Sequence, residues 1–217
     1  MLTELLRELS AKDVTLVAVS KTHPPERIME IYRQGQRIFG ENRAQEMLEK
    51  HAALPADIEW HLIGHLQTNK VKYIAPFVRM IHSADSLKLL QEIDKQALKC
   101  GRVIDCLLQF HIAAEDTKYG FGKQEAFDML AGPDFSRLKN IRICGIMGMA
   151  TFTDDESQVR REFRALKTIF DELKSRFFSV APHFREISMG MSGDWRLAVE
   201  EGSTMVRIGS LIFGNRV

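Results

Sequence analysis

Short apolar runs alternate with longer amphipathic stretches eight times along this sequence. The apolar runs fall at residues 14–20, 37–40, 59–63, 80–83, 104–111, 142–149, 185–189 and 205–208. Several are apolar almost throughout, as TLVAVS, IDCLLQF and ICGIMGM show. Strands of a parallel sheet covered by helices have this character, because both of their faces are buried. Eight strand–helix alternations in one chain predict an α/β fold, a single (β/α)8 TIM-type barrel. An open doubly wound sheet also alternates, but no G-x-G-x-x-G follows the first run. With no linker, low-complexity segment or repeat, residues 1–217 read as one domain.

The amphipathic stretches carry their own punctuation. Pro24 and Pro25 precede a helical pattern with Ile28, Ile31 and Tyr32 on one face, and Gly35 can close it. Asn42 is the expected cap of the next helix, Asp85 or Ser86 of the one at 87–99, and Asp154 or Asp155 of a long one reaching about 177. A shorter helix follows Asp194, another follows Ser210, and an extra N-terminal helix spans about 2–9.

Bulk composition narrows the partners. The net charge is +1 with 27% charged residues, which supplies no general attraction to nucleic acid or membrane. No run is long and apolar enough to span a bilayer, and the N-terminal segment lacks the pattern of a signal peptide. The three cysteines, Cys100, Cys106 and Cys144, form no C-x-x-C pair; a reducing, cytoplasmic setting is expected, with buried, inert thiols at Cys106 and Cys144. The seven histidines contain no H-E-x-x-H, so a metal centre is not expected; His65 and His82 are read as satisfied polar residues near the barrel mouth.

In a barrel of this class chemistry gathers where strands end and βα loops begin. Strand one ends in Ser20-Lys21-Thr22. A strand-end lysine alone more often just carries its ammonium to solvent. Partial desolvation, however, lowers a lysine pKa and makes the amine nucleophilic toward an aldehyde. Strand seven leads into Ser188-Met189-Gly190-Met191-Ser192-Gly193, and strand eight into Gly209-Ser210. Loops seven and eight of such barrels frequently cradle a phosphate. A lysine on the adjacent first strand then points to pyridoxal 5′-phosphate held as a Schiff base. Arg207, two residues before Gly209, is placed to face the ring nitrogen and disfavour its protonation, unless it is spent on an internal ion pair with Glu41 or Glu186.

The segments LVAVSKT (16–22), FGENRAQEM (39–47), EWHLIGHLQTNK (59–70), DTKYGF (116–121), GIMGMAT (145–151), SMGMSGD (188–194) and EEGSTMVRIGSLIFG (200–214) carry a resemblance. The chain resembles the pyridoxal phosphate homeostasis proteins, relatives of the alanine racemase N-terminal domain. The resemblance implies a fold-type III barrel with Lys21 as the Schiff-base lysine. It implies Ser188, Met189, Ser192, Gly209 and Ser210 in the phosphate clamp, Arg207 at the ring nitrogen and Asn42 in a cofactor-side loop. It implies storage or delivery of the cofactor and a part in amino-acid and keto-acid balance, without established turnover. PLP-dependent apoenzymes are then the candidate recipients.

The alternative is a slow amino-acid racemase. A two-base racemase needs a second proton-transfer group, a tyrosine from an additional domain in alanine racemases. That domain is not expected here, so a monomer with an open site is. Tyr32 and Tyr73 fall in helical patterns, and Tyr119 lies in the fifth loop, where loop packing is the first reading.

Overall fold

A computed structural model of the chain describes residues 2–114 and 119–214. Asp116, Thr117 and Lys118 of the DTKYGF segment, and the terminal residues after Gly214, lie outside them. Eight parallel strands close into a barrel in sequence order: β1 (Thr15–Val19), β2 (Ile38–Glu41), β3 (Glu59–Leu62), β4 (Met80–Ala84), β5 (Ile104–Phe110), β6 (Ile141–Gly148), β7 (Glu186–Ser188) and β8 (Met205–Ile208). β8 pairs with β1, Thr15 opposite Met205 through Ala18 opposite Ile208, which leaves no sheet edge. Each expected strand is present to within a residue or two.

The helices expected from the sequence are present, one of them without its expected cap, and three further ones, at Val71–Ile74, Lys123–Ala131 and Pro133–Ser136, are not among those expected. α1 (Leu2–Ser10) precedes β1, and α2 (Pro25–Arg33) starts at Pro25 and is followed by Gly35 at φ 101°. α3 (Ala44–Ala53) begins after Arg43, with no side-chain cap, so Asn42 is not the cap expected of it. α4 (Val71–Ile74) is a single turn after a 3-10 segment. In α5 (Leu87–Lys99) the Ser86 hydroxyl accepts from the Leu89 N–H. α6 (Lys123–Ala131) and the one-turn α7 (Pro133–Ser136) fill the fifth crossover. Asp155 caps α8 (Glu156–Arg176), and α9 (Trp195–Glu200) and α10 (Ser210–Phe213) follow β7 and β8.

Strand alternation divides the core in two. Leu16, Ala18, Phe39, Trp60, Leu62, Ile81, Leu108, Val206 and Ile208 face outward into a shell completed by helix faces. Val17, Met80, Leu107, Cys144, Met147 and Met205 fill the inside of the barrel. Cys106 and Cys144 are buried; burial pushes the Cys144 thiol up to about 12 and holds the Cys106 thiol well above its ordinary value, so both are inert. None of the described helices is long and apolar enough to cross a membrane.

At the base of the barrel Asp105, on β5, takes two bonds from Arg142 (2.6 and 2.9 Å) and one from Arg79 (2.7 Å). Burial works to raise its pKa, but the Arg142 hydrogen bonds and the two guanidinium charges outweigh that and hold it below the usual range. A depressed carboxyl contributes stability above its unfolded pKa and loses it as pH falls through the acid range. Thermal unfolding of Asp105→Asn should therefore show a loss of about 2 kcal/mol at neutral pH that shrinks toward pH 3. A deficit independent of pH would contradict this reading.

Candidate functional site

The turn after β1 is shaped by a buried charge cluster on the outside of the barrel. The Ser20 carbonyl accepts from the His23 N–H at 3.1 Å, and Thr22 between them sits at φ 67°. A β-branched residue rarely takes that conformation, which costs about 1–3 kcal/mol. The surroundings hold it there. Glu46 accepts from the Thr22 N–H at 2.5 Å, and Lys50 Nζ donates to the Ser20 carbonyl at 2.7 Å. Lys50 also pairs with Glu41 and Glu46, both at 2.7 Å, and the Ser20 hydroxyl donates to Glu41 at 2.5 Å. Lys50 and Glu41 are buried. Burial pushes Glu41 up to about 7, against the lowering effects of Lys50 and Ser20. Lys21 is therefore carried on a turn pinned from both sides.

That turn opens onto a cavity of about 660 Å³ at the C-terminal end of the strands. Its walls bring together Lys21, Asn42, Ser192, Arg207, Gly209 and Ser210, all named from the sequence. Loops seven and eight are tied to each other: the Gly209 N–H donates to the Ser192 hydroxyl at 3.2 Å, and the Arg207 N–H donates to the Gly190 carbonyl at 2.9 Å. Gly190 needs its φ of 95°, and a Cβ there would meet Ala198 at 2.6 Å. Asp194 accepts from the Met191 N–H at 2.5 Å and fixes the loop that carries Ser192.

Asn42 reaches the cavity because Gly64 lets its loop come close. A Cβ on Gly64 would lie 2.5 Å from the Asn42 carbonyl oxygen. Gly64→Ala should cost about 2 kcal/mol and lower Tm by roughly 4–8 °C. An unchanged Tm in a melting experiment would contradict the close approach.

Two of the named residues lie elsewhere. Ser188 and Met189 are fully buried and are not part of the cavity wall. Met189 packs into the outer shell. The Ser188 hydroxyl lies below the cavity, bonded to Arg207 Nη1 at 2.6 Å and facing His82 Nδ1 at 3.0 Å. Arg207 Nη2 donates to the Gly148 carbonyl at 3.1 Å. The ion pairs considered for Arg207 do not form. Glu41 is on the outer side with Lys50, and Glu186 takes bonds from Thr204 and Arg185. Burial lowers Arg207 to about 10, so it remains a cation at neutral pH.

His82 is buried and satisfied rather than at the mouth, and His65 pairs with Asp85 and stacks on Tyr119 at 4.1 Å. Tyr119, largely exposed, packs across to the loop after β3 and does not line the cavity. Sequence reasoning missed His23, stacked on Phe213 at 4.7 Å, and the wall formed by residues 151–154. It also missed Lys50, whose partner Ser20 lies thirty positions away. Among the described residues no cluster of His, Cys, Asp or Glu could hold a metal ion. The cavity offers the Lys21 amine, the buried Arg207 guanidinium, the hydroxyls of Ser192 and Ser210 with those of Thr151 and Thr153 on the loop after β6, and glycine-flanked backbone. That set fits a group with an aldehyde, an aromatic ring and a phosphate.

Comparison with known proteins agrees with this geometry. A family model for the alanine racemase N-terminal domain matches residues 3–217. The pyridoxal phosphate homeostasis protein of Aquifex aeolicus is 42% identical over 203 residues, covering 93% of this chain and 86% of its own length. The human protein of that name is 37% identical, covering 97% and 79%. The structure of PipY from Synechococcus elongatus without PLP superposes with a TM-score of 0.89 at 36% identity over 99% of this chain and all of that one. PipY with PLP bound gives 0.85. Alanine racemase from Clostridium difficile, at 15% identity and a TM-score of 0.72, shares the fold over 97% of this chain and 55% of its own. The chain belongs to the pyridoxal phosphate homeostasis proteins, within the alanine racemase N-terminal domain family.

Proposed function

We propose that this protein binds pyridoxal 5′-phosphate through Lys21 and serves intracellular homeostasis of the cofactor, by storage or delivery to PLP-dependent apoenzymes. The observation that carries the reading is the meeting of Lys21, Arg207 and the joined Ser192–Gly209 loops around one cavity. A relative of the same fold and 36% identity holds PLP, which supports it.

The parts divide as follows. Lys21 supplies the amine that links to the aldehyde as a Schiff base, with loss of water. Ser192, Gly209 and Ser210 receive the phosphate through hydroxyl and backbone donors. Asn42 lines the same cavity as Lys21. Arg207 places a permanent cation at the ring nitrogen, which keeps that nitrogen unprotonated and weakens the ring as an electron sink. Ser188 supports Arg207 from beneath, and Met189 anchors the start of the seventh loop in the outer shell. Bound there, the cofactor supplies a reactive aldehyde, and the chain holds and orients it. No tyrosine lines the described cavity to act as the second base of a racemase. The chain works as a cytoplasmic monomer in this reading.

Spectroscopic titration tests the clamp. Pyridoxal phosphate should bind at least about tenfold more tightly than pyridoxal, because charge-assisted phosphate bonds exceed one kcal/mol each. Equal affinities would remove the phosphate from the account. Incubating the loaded protein with L-alanine in deuterium oxide separates carrier from racemase. No α-proton exchange is expected, and rapid exchange with D-isomer formation would establish the alternative.

A further inference from the structure

Arg207 holds a charge where charge is expensive; the Asp194 carboxylate favours that charge, while the side-chain hydrogen bonds of the guanidinium go to neutral oxygens, those of Ser188 and Gly148. Behind Ser188 the contacts continue into the barrel. His82 Nδ1 lies 3.0 Å from the Ser188 hydroxyl, and His82 Nε2 lies 2.9 Å from His61 Nδ1. All four side chains are buried.

The direction of this chain is fixed at one end. A guanidinium can only donate, so Ser188 accepts from Arg207 and has its own proton left to give. Among the described residues its one other side-chain partner is His82 Nδ1; accepting there as well would leave the buried Ser188 proton without an acceptor, so Ser188 donates to Nδ1. His82 therefore carries its proton on Nε2 and donates to His61 Nδ1. His61 in turn carries its proton on Nε2. Each imidazole is neutral and in one tautomer. Electrostatics point the same way. Burial, with His61 and Arg207 adding to it, holds His82 well below its ordinary range. Burial and Arg79 lower His61 to about 3, against a smaller opposing effect of Asp105.

We propose that Ser188, His82 and His61 form a one-way hydrogen-bond relay that positions the Arg207 guanidinium under the cavity. Two of the five N–H donors of Arg207 are committed below, which turns the remainder toward the site it lines. His61 and His82 are positioning residues, acting through Ser188 and touching no ligand. The consequence for affinity rests on the pyridoxal phosphate reading; the relay itself does not.

The test has two arms. In cofactor-stripped, 15N-labelled protein, His61 and His82 should both give the spectrum of neutral Nε2–H imidazoles from pH 5 to 8. The Arg207 guanidinium should give resolved, slowly exchanging signals. Those signals should broaden in Ser188→Ala and in His82→Phe, and survive in His82→Asn, whose Oδ1 can accept where Nδ1 did. In the second arm, Ser188→Ala and His82→Phe should bind pyridoxal phosphate about tenfold more weakly and with a displaced visible maximum, while His82→Asn retains most of the affinity. An Nδ1–H tautomer for His82, or a histidine of the pair that titrates in this window, would overturn the relay. So would His82→Asn behaving like His82→Phe, because packing alone would then explain both. If the wild type shows the expected imidazole and guanidinium signals yet binds no pyridoxal phosphate, the relay stands and the cofactor reading fails.

Discussion

A Lys21→Ala protein mixed with pyridoxal phosphate is expected to develop no visible band of a lysine-linked chromophore, while folding as the wild type does. Lys21 lines the cavity from a turn held by its neighbours, so its side chain contributes little to the core. Surface-type substitutions of this kind alter stability by less than about 1 kcal/mol. The loss should therefore be nearly complete for covalent retention and close to nothing for Tm. Lys21→Arg sharpens the test. It keeps a cation at the wall but cannot condense with an aldehyde, so it should resemble alanine in the spectrum while retaining some phosphate-dependent affinity. A band of normal intensity in either variant would show that another amine does the work.

The second large effect is expected at Lys50, which touches no ligand. Lys50→Met leaves Glu41 buried without its cation and releases the Ser20 carbonyl and Glu46. Removing one partner of a buried pair costs about 3 kcal/mol or more, a fall in Tm of roughly 6–12 °C for a chain of this size. The pH dependence has a definite sign. Glu41 already stands raised to about 7 by burial, and loss of Lys50 raises it further. A carboxyl raised in the folded state gives its full stability below its unfolded pKa and loses it as pH rises through the folded value. The variant should thus be nearly normal at pH 5 and much weaker at pH 8. Glu41→Gln combined with Lys50→Met should remove that dependence and recover part of the loss, the sign of a coupled pair. A Tm deficit equal at both pH values would contradict the buried-pair account. Because the same cluster pins Thr22, slower or weaker capture of pyridoxal phosphate by Lys50→Met should accompany the lost stability.

The barrel was legible because its signal is local. Eight apolar runs of strand length need no knowledge of the partners they pair with. Helix ends were legible where a side chain caps, as at Ser86 and Asp155. α4 and α7 were not, since a single turn is shorter than the period that would reveal it. Asn42 was misplaced as a cap because cap and loop residues are chemically alike; the backbone contact with Gly64 decides the matter. The site's outline came from strand ends, which the barrel geometry places at one face. Its support did not. Lys50 in α3 reads as one more solvated lysine until the fold carries it to Ser20 and Glu41. His61, His82 and Ser188 share the inward parity of Ile63, Met80 and Glu186, so their meeting inside the barrel depends on strand stagger rather than on any spacing in the chain.

The central claim is that Lys21 is the residue to which the cofactor is joined. Borohydride reduction of the pyridoxal phosphate-loaded protein, followed by proteolysis and peptide mass spectrometry, tests it directly. The account predicts one phosphopyridoxyl adduct at stoichiometric yield on the peptide containing Lys21. An adduct found mainly on another lysine, or spread over several with Lys21 unmodified, would contradict it.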